Sequence, residues 1–213
     1  NGKFLMEAMW TRFLPHMVRI NEILASGIIG KPYLLMADHN QSLPVEKAPR
    51  LHALELGGGA LLDLGIYPVS FANQLFGEPN SVKASGRLTA DKVDSLVSMI
   101  FDYPDGSQAA LTTTMLTTGP TRAAVICSNG RIEIAQPWYA HTVFTVFDLE
   151  GQEIEKFEGS IEGRGMQFQA LEVERCIQAE LRESAVMKVS ESVQIMHVLD
   201  TIRQQIGLVY SGD

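Results

Sequence analysis

Asp63 and Tyr67 are the pair whose residue types and spacing could do chemistry in this sequence. They lie four residues apart in the run Gly57-Gly58-Gly59-Ala60-Leu61-Leu62-Asp63-Leu64-Gly65-Ile66-Tyr67-Pro68-Val69. On a helix, positions i and i+4 share a face, so the carboxylate and the phenol point the same way. A positioned phenol can exchange a proton with a substrate hydroxyl, which is general acid–base chemistry. A free phenol titrates at about 10, so a phenol base at neutral pH needs a neighbouring cation. Asp63 alone pushes the other way, by repulsion with a phenolate, and is therefore assigned to orienting substrate hydroxyls or Tyr67 itself. The same two residues also fit a packing role, with Tyr67 as an amphipathic core residue and Asp63 as a first-turn carboxylate favoured by the helix dipole. Spacing alone leaves both readings open.

Few other residues are candidates. Trp10 and Trp138 fall in loops or strand ends, where an aromatic packs or walls a substrate pocket. Arg12 follows Trp10 in a turn, suited either to solvent or to recognising a carboxylate or hydroxyl. His39 and His52 flank a long loop over residues 40–56 and could edge a site. The Gly57–Gly59 triplet follows an irregular loop rather than a strand and lacks the Gly-x-Gly-x-x-Gly spacing, so a dinucleotide site within this chain is not expected. No P-loop, zinc pattern or nucleophile elbow is present.

The elements that must position these residues follow from periodicity. A short strand is expected over 4–9, then a helix over 14–26 with Pro15 in its first turn and Gly27 as its stop. A strand spans 33–39, and the Gly-rich helix runs to Phe76 with a kink expected between Gly65 and Pro68. From Ser81 the pattern turns to strands, at 82–88, 95–101, 108–117, 123–127, 131–135, 142–149 and 152–157. Tyr103-Pro104-Asp105-Gly106 and Asn129-Gly130 supply hairpin turns. Helices over 166–183 and 191–208 close the chain, the second with Ser190 as N-cap. The order predicts an α+β domain, a mainly antiparallel open sheet with helices packed on one face. Strand 108–117 alternates Ala, Leu and Thr with few charges, which makes the second sheet face a candidate subunit interface.

Composition bounds the rest. The 213 residues are 46% hydrophobic and 20% charged, enough for one sizeable core. A net charge of −8 argues against a nucleic-acid partner, which needs a basic face. Cys127 and Cys176 match neither a disulfide framework nor a metal spacing, and together with nine methionines they fit a reducing cytoplasm. No run of 18 apolar residues suits a membrane span. The chain opens on Asn1-Gly2-Lys3 and runs straight into an apolar segment, which reads as the middle of a longer protein.

The segments Glu7-Ala8-Met9-Trp10-Thr11-Arg12-Phe13-Leu14-Pro15, Gly57 through Pro68 and Asp200 through Tyr210 resemble the glucose–fructose oxidoreductase / inositol dehydrogenase (Gfo/Idh/MocA) family. The likeness is strongest to its dimeric dihydrodiol dehydrogenase and glucose–fructose oxidoreductase branches. The resemblance implies a glyceraldehyde-3-phosphate dehydrogenase-like C-terminal domain, with residues 1–213 as its substrate-binding, catalytic and dimerisation part. It places the N-terminal Rossmann domain, with its cofactor loop and catalytic lysine, outside this chain, and Lys47 is not that lysine. It further implies an NAD(P)-dependent dehydrogenase acting on a sugar or diol, NADP or NAD being bound mainly by the missing domain. Tyr67 takes the acid/base position, Arg12, Asp63, Trp138 and Trp10 line the substrate pocket, and a homodimer forms through the open sheet face. No metal, nucleic acid or membrane is implied. A second reading, from a different class, is a non-catalytic sugar-binding or oligomerisation module.

Overall fold

The computed structural model describes residues 2–210. Its helices are α1 (Pro15–Ser26), α2 (Ile66–Phe76), α3 (Gln167–Gln178) and α4 (Val189–Ile206). Its strands are β1 (Pro32–Asn40), β2 (Ser81–Leu88), β3 (Asp94–Asp102), β4 (Gln108–Thr114), β5 (Ala123–Cys127), β6 (Gly130–Ile134), β7 (Phe144–Phe147) and β8 (Glu153–Phe157). The strands form one eight-stranded sheet in the order β2-β3-β4-β1-β5-β6-β7-β8. Every neighbouring pair is antiparallel except β1 and β4, which run parallel with Leu35 opposite Ala109. Local hairpin signals cannot reveal that pair, because α2 and the β2–β3 hairpin separate the two strands in sequence.

Strand alternation divides the sheet into two faces. Leu35, Ala37 and His39 of β1, Val97, Met99 and Phe101 of β3, and Ala109 and Leu111 of β4 are buried under the helices. The helix layer meets the sheet at several points. Arg19 of α1 pairs with Glu155 of β8 at 2.8 Å, and Ile206 of α4 lies where a Cβ on Gly86 of β2 would fall. On the other face Met36, Leu96 and Ile100 stand exposed. The α+β architecture with one open face is the one expected from the sequence.

Several local expectations change, among them the ends of α3, at Gln178 rather than 183, and of β4, at Thr114 rather than 117. Residues 4–9 form no strand; Leu5 N–H donates to the Arg182 carbonyl at 3.0 Å, and a 3-10 turn over Trp10–Phe13 follows. Helix α4 starts at Val189, with Lys188 rather than Ser190 at the cap position. The Gly-rich helix is not simply kinked: Leu61–Gly65 is a π-helical turn, and regular α-helix begins at Ile66. Pro68 lacks the N–H that would bond the Leu64 carbonyl, so a change of helical pitch is accommodated there.

The triple glycine has a packing reason. A Cβ on Gly58 would lie 2.7 Å from the carbonyl oxygens of Leu51 and Ala53, and one on Gly59 would lie 2.0 Å from Asp94 Oδ1. That closeness lets the Asp94 carboxylate reach the helix start, where Oδ2 accepts the Leu61 N–H at 2.7 Å. A carboxylate at a helix N-terminus meets the positive end of the dipole. Burial nevertheless pushes the Asp94 carboxyl up to about 6, the backbone bonds offsetting part of that rise.

Gly59→Ala, with φ +117° and this clash, is expected to destabilise by about 3 kcal/mol, against about 1 kcal/mol for Gly57→Ala, whose φ is +67° in open space. Urea midpoints compare the two variants, and equal losses would refute the close approach. Because the folded-state value of Asp94 lies above the unfolded one, its contribution to stability is full below about pH 4 and is lost as pH rises through about 6. The stability difference between the wild type and Asp94→Asn is therefore expected to shift against the wild type between those pH values.

Candidate active site

Tyr67 is the second residue of α2, on the first regular turn after the π-helical segment. Its hydroxyl oxygen accepts the indole N–H of Trp10 at 3.1 Å. The 3-10 turn that carries Trp10 is fastened on both sides of the site. Thr11 Oγ1 donates to the Tyr139 carbonyl at 2.6 Å, and Arg12 reaches into the helix layer behind. Tyr139 sets its ring edge-on to Trp10, at a centroid distance of 6.3 Å, and stacks on His39 at 4.1 Å. His39 in turn lies 5.0 Å from Tyr67 in an edge-to-face arrangement. The product is an aromatic wall of two phenols, an indole and an imidazole at the C-terminal end of β1.

Polar contacts fix that wall. His39 Nδ1 lies 3.1 Å from the Leu64 carbonyl, the one that Pro68 cannot reach, so Nδ1 carries the proton and Nε2 is left to accept. Gln41 Nε2 supplies that donor at 2.8 Å and also donates to the Tyr139 hydroxyl at 3.2 Å. Burial pushes His39 down to about 4, leaving it neutral at physiological pH. Burial, reinforced by Tyr67, raises the Tyr139 phenol, with Arg164 and the Gln41 bond acting against the rise. Asp63, one turn before Tyr67, pairs with Arg50 from the β1–α2 loop. His52 holds that loop through the Leu43 carbonyl at 2.9 Å.

The sequence-derived candidates divide. Tyr67 and Trp10 are joined directly, whereas Asp63 lies on the preceding π-helical turn and pairs with Arg50. Arg12 is not at that surface. It is only 2% exposed, and its donors are committed to Glu191 at 2.5 Å, Ser70 Oγ at 3.2 Å, the Ser70 carbonyl at 3.1 Å and the Val186 carbonyl at 3.2 Å. An arginine buried with four of its five N–H donors committed in this way ties the Trp10 turn to α2 and α4. Trp138 does not wall the pocket either. It is wholly buried, stacks on Phe71 at 5.2 Å and donates its indole N–H to the Asp38 carbonyl at 2.8 Å. Its neighbour Tyr139 occupies the wall instead. Tyr139, Gln41 and Arg50 escape a sequence reading because nothing in their own segments distinguishes them. His39 carried one signal, its place at the edge of the long loop.

Among the described residues no group of three or more His, Cys, Asp or Glu side chains is placed to hold a metal ion, and no helix is long and apolar enough to cross a membrane. The profile of the GFO/IDH/MocA C-terminal domain matches residues 17–133, more than half of the chain. A trans-1,2-dihydrobenzene-1,2-diol dehydrogenase of Xenopus tropicalis is 36% identical over 215 residues, covering 97% of this chain and 64% of that protein. The Mus musculus protein of the same name is 33% identical over 221 residues, covering 100% and 65%. Among solved structures, an aldose–aldose oxidoreductase from Caulobacter crescentus complexed with glycerol superposes with a TM-score of 0.82 at 23% identity, over 96% of this chain and 62% of that one. A 3-ketoreductase from Actinomadura kijaniata in complex with NADP and TDP-benzene gives 0.75 at 19% identity, over 96% and 63%. At those identities the structural likeness speaks for the fold. The chain spans about 64% of the length of the first of these curated relatives. On the match of its sequence to the family profile, this chain belongs to the GFO/IDH/MocA oxidoreductase family.

Proposed function

We propose that this chain is the substrate-binding and catalytic part of an NAD(P)-dependent oxidoreductase acting on the CH–OH group of a diol or sugar, with Tyr67 as the acid/base. The observation that carries this reading is the Tyr67 hydroxyl, partly exposed on the first turn of α2 and oriented from behind by the Trp10 indole. A phenol held in this way can take the proton of a substrate hydroxyl as that carbon is oxidised, or return it to a carbonyl in the reverse direction. The hydride acceptor is a nicotinamide, whose chemistry belongs to the cofactor.

The residues in hand do not form a dinucleotide cradle. The N-terminus of the Gly-rich helix already holds the Asp94 carboxylate, and carbonyl oxygens fill the space beside Gly58. We therefore place the binding of NADP or NAD in the part of the longer protein that this chain does not span. Asp63 is proposed to orient substrate hydroxyls, its charge offset by Arg50. That pairing neutralises the carboxylate that would otherwise repel a phenolate. Trp10 forms the wall beside Tyr67. The alternative of a non-catalytic sugar-binding module draws its support from the missing cradle alone.

The open sheet face is proposed to pair two copies of the chain. It holds a concavity of about 930 Å³ lined by Met36, Ile100, Ala110, Ala124 and Val143 among others. This hollow lies across the sheet from Tyr67, so its role is association rather than chemistry. A cytoplasmic location completes the proposal and agrees with the free thiols of Cys127 and Cys176.

In the full-length protein, Tyr67→Phe is expected to lower kcat by about 100-fold or more while cofactor affinity is kept, as steady-state kinetics and cofactor titration would show. Unchanged turnover would return Tyr67 to a packing role. Met36→Asp combined with Ile100→Asp is expected to convert a dimer to a folded monomer in sedimentation analysis. A dimer that survives both charges would place the interface elsewhere.

A further inference from the structure

The function proposed above uses one phenol, and the wall contains two. The rings of Tyr67 and Tyr139 have centroids 5.2 Å apart and are tilted by 57°, and both side chains are partly exposed. Each oxygen receives a donor from the protein behind it: Trp10 Nε1 donates to Tyr67 at 3.1 Å, and Gln41 Nε2 donates to Tyr139 at 3.2 Å.

The Gln41 donor is itself set by a directed chain. An amide nitrogen carries two protons and cannot accept, so one proton goes to His39 Nε2 at 2.8 Å and the other to Tyr139. His39 Nε2 is an acceptor because Nδ1–H is spent on the Leu64 carbonyl at 3.1 Å. Pro68, four residues on, has no N–H to give that carbonyl the regular helical bond. Tyr139 accepts from Gln41 through one lone pair and keeps its own O–H proton, for which no hydrogen-bond acceptor is found among the described residues.

We infer that Tyr139 is a specificity-determining residue, donating its O–H to the second oxygen of a vicinal diol whose first oxygen meets Tyr67. His39 and Gln41 are its positioning residues. The inference rests on the dehydrogenase reading of Tyr67 and narrows its substrate to a molecule with two adjacent oxygens. A neutral phenol suits this task, since a phenolate would have no proton to give.

The test uses the full-length protein loaded with its nicotinamide cofactor and two probes, cyclohexane-1,2-diol and cyclohexanol, in calorimetric titration. The wild type is expected to bind the diol more tightly than the single alcohol. Tyr139→Phe is expected to weaken diol binding by about 5- to 10-fold, the scale of one neutral hydrogen bond, and to bring the ratio of the two affinities close to one. Gln41→Leu, which keeps the phenol but removes its donor, gives a smaller fall in the same ratio. In turnover of the diol, Tyr139→Phe raises KM more than it lowers kcat. A wild type that binds the two probes alike, or a Tyr139→Phe variant that weakens both by one factor, overturns the inference. Failure of the Tyr67 reading shows separately, as turnover that survives Tyr67→Phe.

Discussion

Pro68 has no amide proton, so the Leu64 carbonyl lacks its regular α-helical donor, and the geometry of the site follows from the side-chain partner it takes besides the Ile66 N–H. In a regular helix that oxygen would bond the N–H four residues on. Here it takes the Nδ1–H of His39 from the end of β1, at 3.1 Å. A helix defect and a sheet strand thus complete each other. The bond sets the tautomer of His39, the tautomer sets the Gln41 amide, and the amide sets the Tyr139 hydroxyl. The same stretch of backbone carries Tyr67, so both phenols are referenced to a single anchor.

The start of the helix is held as firmly as its first regular turn. Asp94 opens β3 and bonds the Leu61 N–H at 2.7 Å, while Tyr210, after α4, donates its hydroxyl to the Gly58 carbonyl at 2.6 Å. Glycine is needed at 58 and 59 because the surrounding oxygens leave no room for a Cβ. A Gly-rich turn before a helix is often a cradle for phosphate, yet here the protein's own carboxylate occupies that position. The turn is a packing device, its glycines required by the oxygens around them.

Burial also explains why charged and aromatic residues of similar promise end in opposite roles. Arg12 and Arg50 both belong to turns near the site. Arg12 points inward, where four acceptors surround it, and becomes a tie between the Trp10 turn and two helices. Arg50 stays about half exposed and neutralises Asp63. Trp138 and Tyr139 are adjacent in sequence, yet the first is buried in the core while the second is partly exposed beside Tyr67.

What the sequence determined by itself was local. Alternation and turn residues marked the strands and the hairpins β3–β4, β5–β6 and β7–β8, and helical periodicity placed α1 and α2. The family was legible as well, since motif residues kept their order and spacing. These features depend on neighbours within a few residues, which a sequence displays directly. Tertiary structure alone decided the parallel pairing of β1 with β4, the burial of Arg12 and Trp138, and the assembly of His39, Gln41 and Tyr139. Each of those depends on groups up to about 180 positions apart in the chain, as in the bond from Arg12 to Glu191. A side chain's exposure and its hydrogen-bond partners are set by what packs over it, and only the folded chain supplies that.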